Sequence, residues 1–444
     1  MRQLTKGFII AAPHSGSGKT LITLGLLRAL RNRGLKVVSA KAGPDYIDPG
    51  FHAAATGQPC INLDYWAMGE SAVRDLAFTH AGDADVLIIE GVMGLFDGPQ
   101  GAKGSTADLA AALNSPVILV VDASRQGQSI AALVHGFTNF RPDVKIAGVI
   151  LNRVASDRHE QILRQALNTP PAVIPALSPV IAANGVQIMG TLRQIDSLNL
   201  PSRHLGLVQA QEYQQLETFI EHAASRVSRE TILDMIHESA IHLKKADNSI
   251  RALLPPLGQT IAVAHDQAFS FAYPHMLQDW RKQGAEIKLF SPLADEPPPA
   301  ADAIFLPGGY PELHVSKLTS NRSFLDAIRS FKGVIYGECG GYMILGDGLI
   351  DADGQHHAMA GLLPLTTSFA KPKLHLGYRQ LKPFTGPWKQ PLRGHEFHYS
   401  TIESQTGGEP LFHAYDAAGN DLGPIGQRIG NVMGSYAHII SAAP

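Results

Sequence analysis

The chain has 444 residues, of which 45% are apolar and 17% are charged, and its formal net charge is -2. This length predicts roughly two or three domains, and the near-neutral charge argues against a global basic field for nucleic acid. Two cysteines cannot build a disulfide framework, so we expect a reducing, cytoplasmic location. The apolar run near the start is too short for a signal peptide, and no stretch has membrane-spanning length. We therefore expect no nucleic-acid partner and no membrane partner.

Short apolar runs alternate with helical patterns in the first half of the chain. They are rich in Val, Ile and Leu, which is typical of parallel strands buried on both faces. The predicted strands cover residues 7–12, 36–40, 85–90, 116–123, 146–152 and 187–192. Leucines at positions 21, 24, 27 and 30 share one face of a helix that Gly34 can end. The pattern predicts a βαβ unit and an α/β fold with a parallel sheet.

The second half begins after a change in composition. Residues 216–247 have a charged helical pattern without a strand, and residues 248–260 contain two prolines and a glycine. We place the domain boundary there. The predicted division is a first domain over 1–225, a linker over 226–258 and a second domain over 259–444. A second α/β series is predicted, with strands at 260–266, 286–293, 303–310 and 333–339.

The segment PHSGSGKT, which begins at Pro13, lies between the first predicted strand and the first predicted helix. Gly18, Lys19 and Thr20 match the end of the P-loop pattern, although Pro13 replaces its first glycine. Gly16 and Gly18 would let backbone N–H groups surround phosphate oxygens at a helix N-terminus. We expect Lys19 to reach the outer phosphates of ATP and Thr20 to hold Mg²⁺. The alternative is an ordinary glycine-rich turn.

Acidic residues follow two of the predicted strands. Glu90 ends the run VLIIE, and Asp97 lies in the glycine-rich loop beyond it. Ligands of open α/β sheets bind at this carboxyl edge, so Glu90 is the predicted second Mg²⁺ anchor. The loop KAGPDYIDPGFH carries Asp45 and Asp48, three residues apart. These acids can position a metal or a substrate group, or they can be turn residues only.

The segment GECGG around Cys339 has the G-x-C-x-G form of a nucleophile elbow. Such a turn would expose the thiol, place the Gly340 N–H near a developing oxyanion, and lower the thiol pKa at a helix N-terminus. Gly308 and Gly309 of FLPGGYPE can supply a second oxyanion donor. The alternative is a small buried hydrophobic residue, which is the role that we predict for Cys60.

A thiolate nucleophile needs a base, and the segment GNVMGSYAHII supplies His438. No acid follows it two residues later, where Ile440 stands, so the group that orients the imidazole stays open. A second histidine-rich stretch, RGHEFHYS, has two histidines three residues apart, which is only a weak indication of metal binding.

A P-loop and a reactive thiol in one chain predict a glutamine-dependent amide synthetase. The thiol would release ammonia from the side chain of glutamine. ATP would activate a carboxylate as an acyl phosphate, which the ammonia then attacks.

Seven segments spread along the chain resemble the cobyrinic acid a,c-diamide synthase family: APHSGSGKT, KAGPDYIDPGFH, IIEGVMGLFDG, LPGGYPE, GECGGYM, LRGHEFHYS and GNVMGSYAH. The resemblance implies a dethiobiotin-synthetase-like ATPase domain joined to a class I glutamine amidotransferase domain. It also implies that the a and c acetate side chains of a corrinoid, cobyrinate or hydrogenobyrinate, are amidated in cobalamin biosynthesis. ATP, glutamine and Mg²⁺ would be required.

The resemblance assigns roles residue by residue. Lys19 and Thr20 match the P-loop, and Glu90 matches the metal-binding acid. Cys339 matches the nucleophile and His438 its partner. Asp45 and Asp48 match the acidic loop that serves ATP, Mg²⁺ and the activated carboxylate. Asn152 matches the position that contacts adenine. His14 has no assigned role.

Other functions stay open at this point. Cobyric acid synthase and a nickel-tetrapyrrole a,c-diamide synthase would share both domains. A ParA/MinD-like regulatory ATPase is a different class that would need no elbow cysteine. The sequence does not say whether the corrinoid contains cobalt, and it allows a homodimer without indicating one.

Overall fold

The computed structural model describes residues 5–168, 186–194, 202–203, 206–246 and 253–444, with backbone alone for 202–203 and 206–207. The chain divides into two compact units. The first holds residues 1–98, 103–202 and 207–250, and the second holds residues 99–102, 203–206 and 251–444. Among the described residues, no helix has the length and apolar character needed to cross a membrane.

The first unit is built on a parallel sheet. Its strands are β1 Lys6–Ala11, β2 Val37–Ala42, β3 Cys60–Leu63, β4 Val86–Glu90, β5 Val117–Asp122, β6 Ile146–Val154 and β7 Ile188–Arg193. They lie side by side in the order β3-β2-β4-β1-β5-β6-β7. The side chains of β1 and β4 are almost entirely buried, as expected for strands covered on both faces. All six strands predicted in this half are therefore confirmed. The short strand at Cys60 was not predicted.

Helices connect and cover these strands. They are α1 Lys19–Asn32, α2 Asp48–Thr56, α3 Tyr65–Ala81, α4 Thr106–Leu113, α5 Ile130–Asn139, α6 Asp157–Asn168, α7 Leu216–Glu230 and α8 Leu233–Ser239. The leucine face predicted for α1 is only part of its buried surface. Residues 22–30 of α1 are buried all round, because α7 packs on the helix as well.

The first part of the predicted linker over 226–258 belongs to the first unit in the structure. Helix α7 belongs to the first unit, where Arg28 of α1 forms an ion pair with Glu217 at 2.5 Å. The segment after it contains a short strand, β10 Ile241–His242, which pairs antiparallel with β1. The prediction of a strand-free helical stretch was wrong there, since two residues are too few to produce a sequence pattern. The exact boundary stays a prediction, because residues 247–252 lie outside the described ranges.

A separate two-stranded sheet pairs β8 Ser202–Arg203 with β9 Gly206–Leu207.

The second unit contains a mixed sheet with the order β12-β11-β13-β14-β24-β23. Its strands are β11 Thr260–Ala264, β12 Glu286–Phe290, β13 Ala303–Leu306, β14 Val334–Glu338, β23 Gln427–Ile429 and β24 Val432–Ser435. All are parallel neighbours except β23, which runs antiparallel to β24. The four strands predicted here are confirmed. The described residues of this unit also form the α-helices α9 Pro274–Lys282, α10 Val315–Ser320, α11 Arg322–Ser330 and α12 Gly340–Leu345.

Residues 346–442 add further strands, in parallel and antiparallel pairs, that the sequence did not predict as a set. They are β15 Gly346–Ile350, β16 His356–Ala358, β17 Leu363–Ser368, β18 His375–Pro383, β19 Leu392–His398, β20 Thr401–Gln405, β21 Phe412–Tyr415, β22 Asp421–Ile425 and β25 His438–Ala442. Two sheets result, with the orders β16-β15-β17-β20 and β22-β21-β18-β19-β25. Many of these strands are only partly buried, so they lack the continuous apolar runs that mark the parallel strands.

Candidate active sites

The P-loop joins β1 to α1 and is held by short-range hydrogen bonds. Ser17 Oγ donates to the His14 carbonyl at 2.8 Å, and His14 Nδ1 lies 2.7 Å from the Ser15 carbonyl. Gly18, immediately before α1, has a φ of +94°, a value that favours glycine. Local hydrogen bonds thus stabilise the loop around His14, a residue that the P-loop pattern does not specify.

Lys19 is held at the loop that follows β4. Its side chain is buried, and Nζ donates to the Met93 carbonyl at 2.6 Å. Met93 itself has a φ of +52°, an uncommon conformation for a residue with a side chain. Burial lowers the pKa of Lys19, against the attraction of Glu90. The ammonium therefore lies between the P-loop and the carboxyl end of β4.

Glu90 is fully buried at the end of β4 and has partners on both oxygens. Oε1 accepts from Thr20 Oγ1 at 2.7 Å and from Lys41 Nζ at 2.9 Å. Oε2 lies 2.7 Å from His52 Nε2. Burial acts to raise the pKa of Glu90, but the Lys41 charge and the His52 hydrogen bond outweigh it, so the pKa is lowered. The structure thus brings the predicted metal anchors Thr20 and Glu90 together.

The two acids of the KAGPDYIDPGFH loop have different surroundings. Asp48 is buried, and its Oδ2 lies 2.5 Å from Lys41 Nζ. Asp45 Oδ1 accepts from the backbone N–H groups of Ile47 and Asp48 at 2.8 and 3.0 Å, at the start of α2. Burial and then repulsion from Asp45 raise the pKa of Asp48 to about 7, despite the attraction of Lys41. Asp48 therefore lies beside Lys41, which also contacts Glu90. Asp45 instead stabilises the turn at the start of α2 through its backbone hydrogen bonds.

Asn152 and Asp97 make contacts to the backbone. Asn152, buried at the end of β6, donates from Nδ2 to the Ser17 carbonyl at 2.9 Å. Asp97 Oδ2 accepts from the Gly94 N–H at 2.9 Å within the loop after β4. Asn152 thus lies against the P-loop, and its predicted role towards adenine stays a prediction.

Cys339 lies in a sharp turn between β14 and α12. Its φ of 46° and ψ of -107° are strained for a residue with a side chain, as in a nucleophile elbow. A Cβ on Gly341 would lie 1.9 Å from the Leu306 carbonyl oxygen, and one on Gly337 would lie 2.8 Å from Leu345 Cδ1. The flanking residues must therefore be glycine, which supports the elbow.

The predicted oxyanion residues and His438 meet Cys339 in space. A Cβ on Gly308 would lie 2.3 Å from His438 Cε1 and 3.2 Å from Cys339 Cβ. A Cβ on Gly340 would lie 3.1 Å from the Gly309 nitrogen. Residues from distant parts of the chain thus share one small space.

The electrostatics of the thiol differ from the prediction. Cys339 is only 2% exposed, and burial followed by the charge of Glu312 raises the pKa of its thiol, although the Gly340 N–H opposes this. Helix α12 has only six residues, too short to outweigh burial. Burial, together with the nearby His395 and His398, lowers the pKa of His438 to about 3, although a hydrogen bond with the Phe271 backbone opposes this. The resting pair is therefore a neutral thiol beside a neutral imidazole.

The stretch RGHEFHYS forms part of β19 beside β25. His395 pairs with His438 in the strand register, and the rings of His398 and Tyr436 stack with centroids 3.8 Å apart. Burial lowers the pKa of each of these two β19 histidines to about 3. Over the described ranges, no group of three or more His, Cys, Asp or Glu side chains could hold a metal ion. The histidines instead surround the base.

Sequence reasoning missed Glu338, which precedes the nucleophile. Its side chain is 1% exposed, and Oε2 lies 3.8 Å from His438 Nδ1. The signal was present as an acidic residue at the end of an otherwise apolar strand, VIYGE. The segment around His438 does not indicate this acid, because Ile440 stands two residues after the histidine and Glu338 lies far away in the sequence. Cys60, in contrast, is buried as predicted, with Sγ 3.6 Å from His52 Nδ1.

Comparisons with known proteins match both halves of the chain. Residues 8–208 match the CobQ/CobB/MinD/ParA nucleotide binding domain, and residues 260–444 match the CobB/CobQ-like glutamine amidotransferase domain. These matches confirm the predicted pairing of a P-loop domain with a glutamine amidotransferase domain. The second domain also separates this chain from a ParA/MinD-like regulatory ATPase.

Curated relatives extend over nearly the whole chain. The hydrogenobyrinate a,c-diamide synthase of Brucella abortus biovar 1 (strain 9-941) is 54% identical over 98% of both chains. That of Rhizobium meliloti (strain 1021) is 53% identical over 98% of this chain and 99% of its own. That of Mesorhizobium japonicum is 46% identical over 99% of both chains. On this similarity, and in agreement with the motifs and both sites, the chain belongs to the hydrogenobyrinate a,c-diamide synthase family.

Proposed function

We propose that this chain is a carbon–nitrogen ligase that uses ATP and glutamine to amidate the a and c acetate carboxylates of hydrogenobyrinate or cobyrinate in cobalamin biosynthesis. One observation carries the proposal: a P-loop backed by Glu90 and an elbow Cys339 beside His438 occur in one chain. The first site suits carboxylate activation and the second suits ammonia release.

In the first unit, ATP binds with its phosphates on the P-loop backbone, at Gly16 and Gly18, and with Lys19 at the outer phosphates. The Thr20 hydroxyl and the Glu90 carboxylate lie 2.7 Å apart, and such oxygen donors suit Mg²⁺. Thr20, Glu90 and Asp48 would hold the ion. When bound, Mg²⁺ would neutralise charge on the phosphates.

The substrate carboxylate attacks the terminal phosphate of ATP and forms an acyl phosphate and ADP. Asp45 and Asp48 position the reacting groups, and the nearby Lys41 ammonium offsets the negative charge that gathers there. Asn152 contacts the adenine. Ammonia then displaces phosphate from the acyl carbon and gives the amide.

In the second unit, Cys339 attacks the side-chain amide of glutamine while His438 takes the thiol proton. The N–H groups of Gly340 and of the Gly308–Gly309 turn stabilise the oxyanion. The intermediate collapses to a glutamyl thioester, and His438 returns the proton to the departing ammonia. Water then hydrolyses the thioester to glutamate. The close packing of His438, Gly308 and Cys339 supports this step.

The identity of the corrinoid rests on the relatives. Their names specify hydrogenobyrinate, the metal-free substrate, and this supports hydrogenobyrinate over cobyrinate. Cobyric acid synthase and the nickel-tetrapyrrole enzyme are disfavoured by the same full-length matches.

The test is an amidation assay on the full chain with ATP, Mg²⁺ and either hydrogenobyrinate or cobyrinate, with mass spectrometry of the product. Glutamine and ammonium chloride serve as separate nitrogen sources. Cys339→Ala should abolish amidation with glutamine and retain it with ammonium. Lys19→Ala should abolish amidation with both sources while glutaminase activity persists. Equal loss with both sources in Cys339→Ala would refute the division of labour, and unimpaired amidation in Lys19→Ala would refute the ATP site.

A further inference from the structure

The base His438 begins β25, and the strand that carries the nucleophile ends beside it. Strand β14 pairs with β24, and Glu338 lies opposite Ser435 in that register. Only Tyr436 and Ala437 separate β24 from β25. This short connection brings the start of β25 back to the carboxyl end of β14, so the residue before Cys339 meets the residues that include the base.

Both oxygens of Glu338 face this junction. Oε1 accepts from the Ile439 N–H at 3.1 Å, and Oε2 lies 3.8 Å from His438 Nδ1. The Glu338 and His438 side chains are each 1% exposed. The position two residues after His438 is Ile440, which cannot orient an imidazole. Glu338 is therefore a carboxylate that both contacts the backbone of the base strand and faces the ring.

The opposite edge of the ring faces the nucleophile. A Cβ built on Gly308 would lie 3.2 Å from His438 Nε2 and also 3.2 Å from Cys339 Cβ. Nε2 and the thiol carbon thus border the same small space, while Nδ1 points to Glu338. This arrangement is the one in which a carboxylate holds the imidazole with its proton on Nδ1 and leaves Nε2 to accept the thiol proton.

We propose that Glu338 is the positioning residue for His438, acting from the nucleophile strand rather than from the base strand. This inference rests on the proposed glutaminase function. As Cys339 attacks glutamine, its proton moves to Nε2, and the imidazolium that forms is stabilised by the carboxylate facing Nδ1. The same proton passes from Nε2 to the departing ammonia, so Glu338 itself transfers no proton.

Burial raises the pKa of Glu338 to about 8, although hydrogen bonds from the Ile439 N–H and the Tyr336 side chain oppose the rise. The imidazolium that forms during the reaction lies beside this group, and its positive charge favours the ionised carboxylate. The 3.8 Å separation also agrees with a contact that shortens only when the imidazolium forms, since catalytic hydrogen bonds are often long in the absence of substrate.

The test compares Glu338→Gln with Glu338→Asp in the full chain. Glutamine keeps the shape and an oxygen acceptor for the Ile439 N–H, but its NH₂ group would face Nδ1. It would favour the tautomer with the proton on Nε2, which cannot accept the thiol proton. We expect glutaminase kcat to fall by about 10²-fold or more, with KM for glutamine and ammonium-dependent amidation near their wild-type values.

Glu338→Asp retains the charge on a shorter side chain, and its kcat should lie between those of Glu338→Gln and the wild type. Glu403→Gln, at an exposed carboxylate of β20, is the matched control. A wild-type glutaminase kcat in Glu338→Gln would overturn the inference. An equal loss of glutaminase activity and ammonium-dependent amidation in Glu338→Gln would also overturn it. A glutaminase kcat for Glu338→Asp that is no higher than that for Glu338→Gln would overturn it as well. If Glu338→Gln does not fold, Glu338→Asp decides: a kcat equal to that of wild type overturns the inference. Absence of glutaminase activity in the wild type would refute the proposed function instead.

Discussion

His52 Nε2 lies 2.7 Å from Glu90 Oε2, and both side chains are completely buried. The other Glu90 oxygen accepts from Thr20 and Lys41. Burial acts to lower the pKa of His52, but Cys60 and Glu90 outweigh it and raise the pKa to about 10. His52 thus fixes the orientation of Glu90, the acid that is proposed to hold Mg²⁺. Hydrogen bonds to a metal ligand of this kind orient the ligand and influence the affinity for the metal.

His52→Leu should therefore raise the Mg²⁺ concentration needed for half-maximal amidation by about tenfold or more, since Glu90 Oε2 loses its partner. The measurement is a Mg²⁺ titration with ammonium as the nitrogen source. His52→Gln, which keeps a donor, should be affected less, and glutaminase activity should be unchanged in both. An identical Mg²⁺ requirement in His52→Leu and wild type would contradict the role of this contact.

Gly308→Ala should abolish glutaminase activity and leave ammonium-dependent amidation intact. The added Cβ would lie 2.3 Å from His438 Cε1, so the imidazole must leave its place beside Cys339. Steady-state kinetics with each nitrogen source measure the effect, with Cys339→Ala as the reference for complete loss. Glutaminase activity at the wild-type level would show that the ring does not occupy this position.

Gly25→Ala should destabilise the first unit even though alanine favours helices. In an open helix this change contributes about 0.5–1 kcal/mol of stability. At Gly25 of α1 the added Cβ would lie 2.8 Å from the Ala223 carbonyl and 2.5 Å from Val227 Cγ2 of α7, which predicts a net cost of about 1–3 kcal/mol.

Gly136→Ala in α5 is the matched control, because no atom lies within 4 Å of its added Cβ. It should raise the free energy of unfolding measured by urea denaturation, whereas Gly25→Ala should lower it. The same sign for both changes would mean that α1 and α7 do not pack as closely as described.

The second unit should lose stability in acid. The pKa values of His395, His398 and His438 are lowered to about 3, against about 6.5 in an unfolded chain. Between these values the unfolded state binds more protons, so the free energy of unfolding falls as the pH drops from about 6.5 towards 3, while the contribution is fully retained above 6.5. Glu338, whose pKa is raised, acts in the opposite direction between about 4.5 and 8, but the three histidines outnumber it.

Urea denaturation at a series of pH values, followed by the fluorescence of Trp280 and Trp388, measures this dependence. His398→Gln should lower stability at neutral pH, because the ring stack with Tyr436 is lost, and should reduce the slope of stability against pH. A slope equal to that of the wild type would show that His398 does not stay neutral in the folded state.

The sequence by itself determined the parts of this protein that depend on neighbours along the chain. The buried parallel strands, the P-loop at Lys19 and the elbow at Cys339 were predictable, because continuous apolar runs and glycine-flanked turns impose local structure. Residue identities over seven segments were also sufficient to identify the family.

Only the tertiary structure decided which distant groups meet. Lys41 and His52 converge on Glu90 because β2 lies beside β4 in the sheet, and Glu338 reaches His438 because β24 returns the chain beside β14. The same applies to the thiol, whose pKa is set by burial and by Glu312 rather than by its short helix. Strand order and burial arise from packing between segments that are distant in the chain, so local sequence patterns do not predict them.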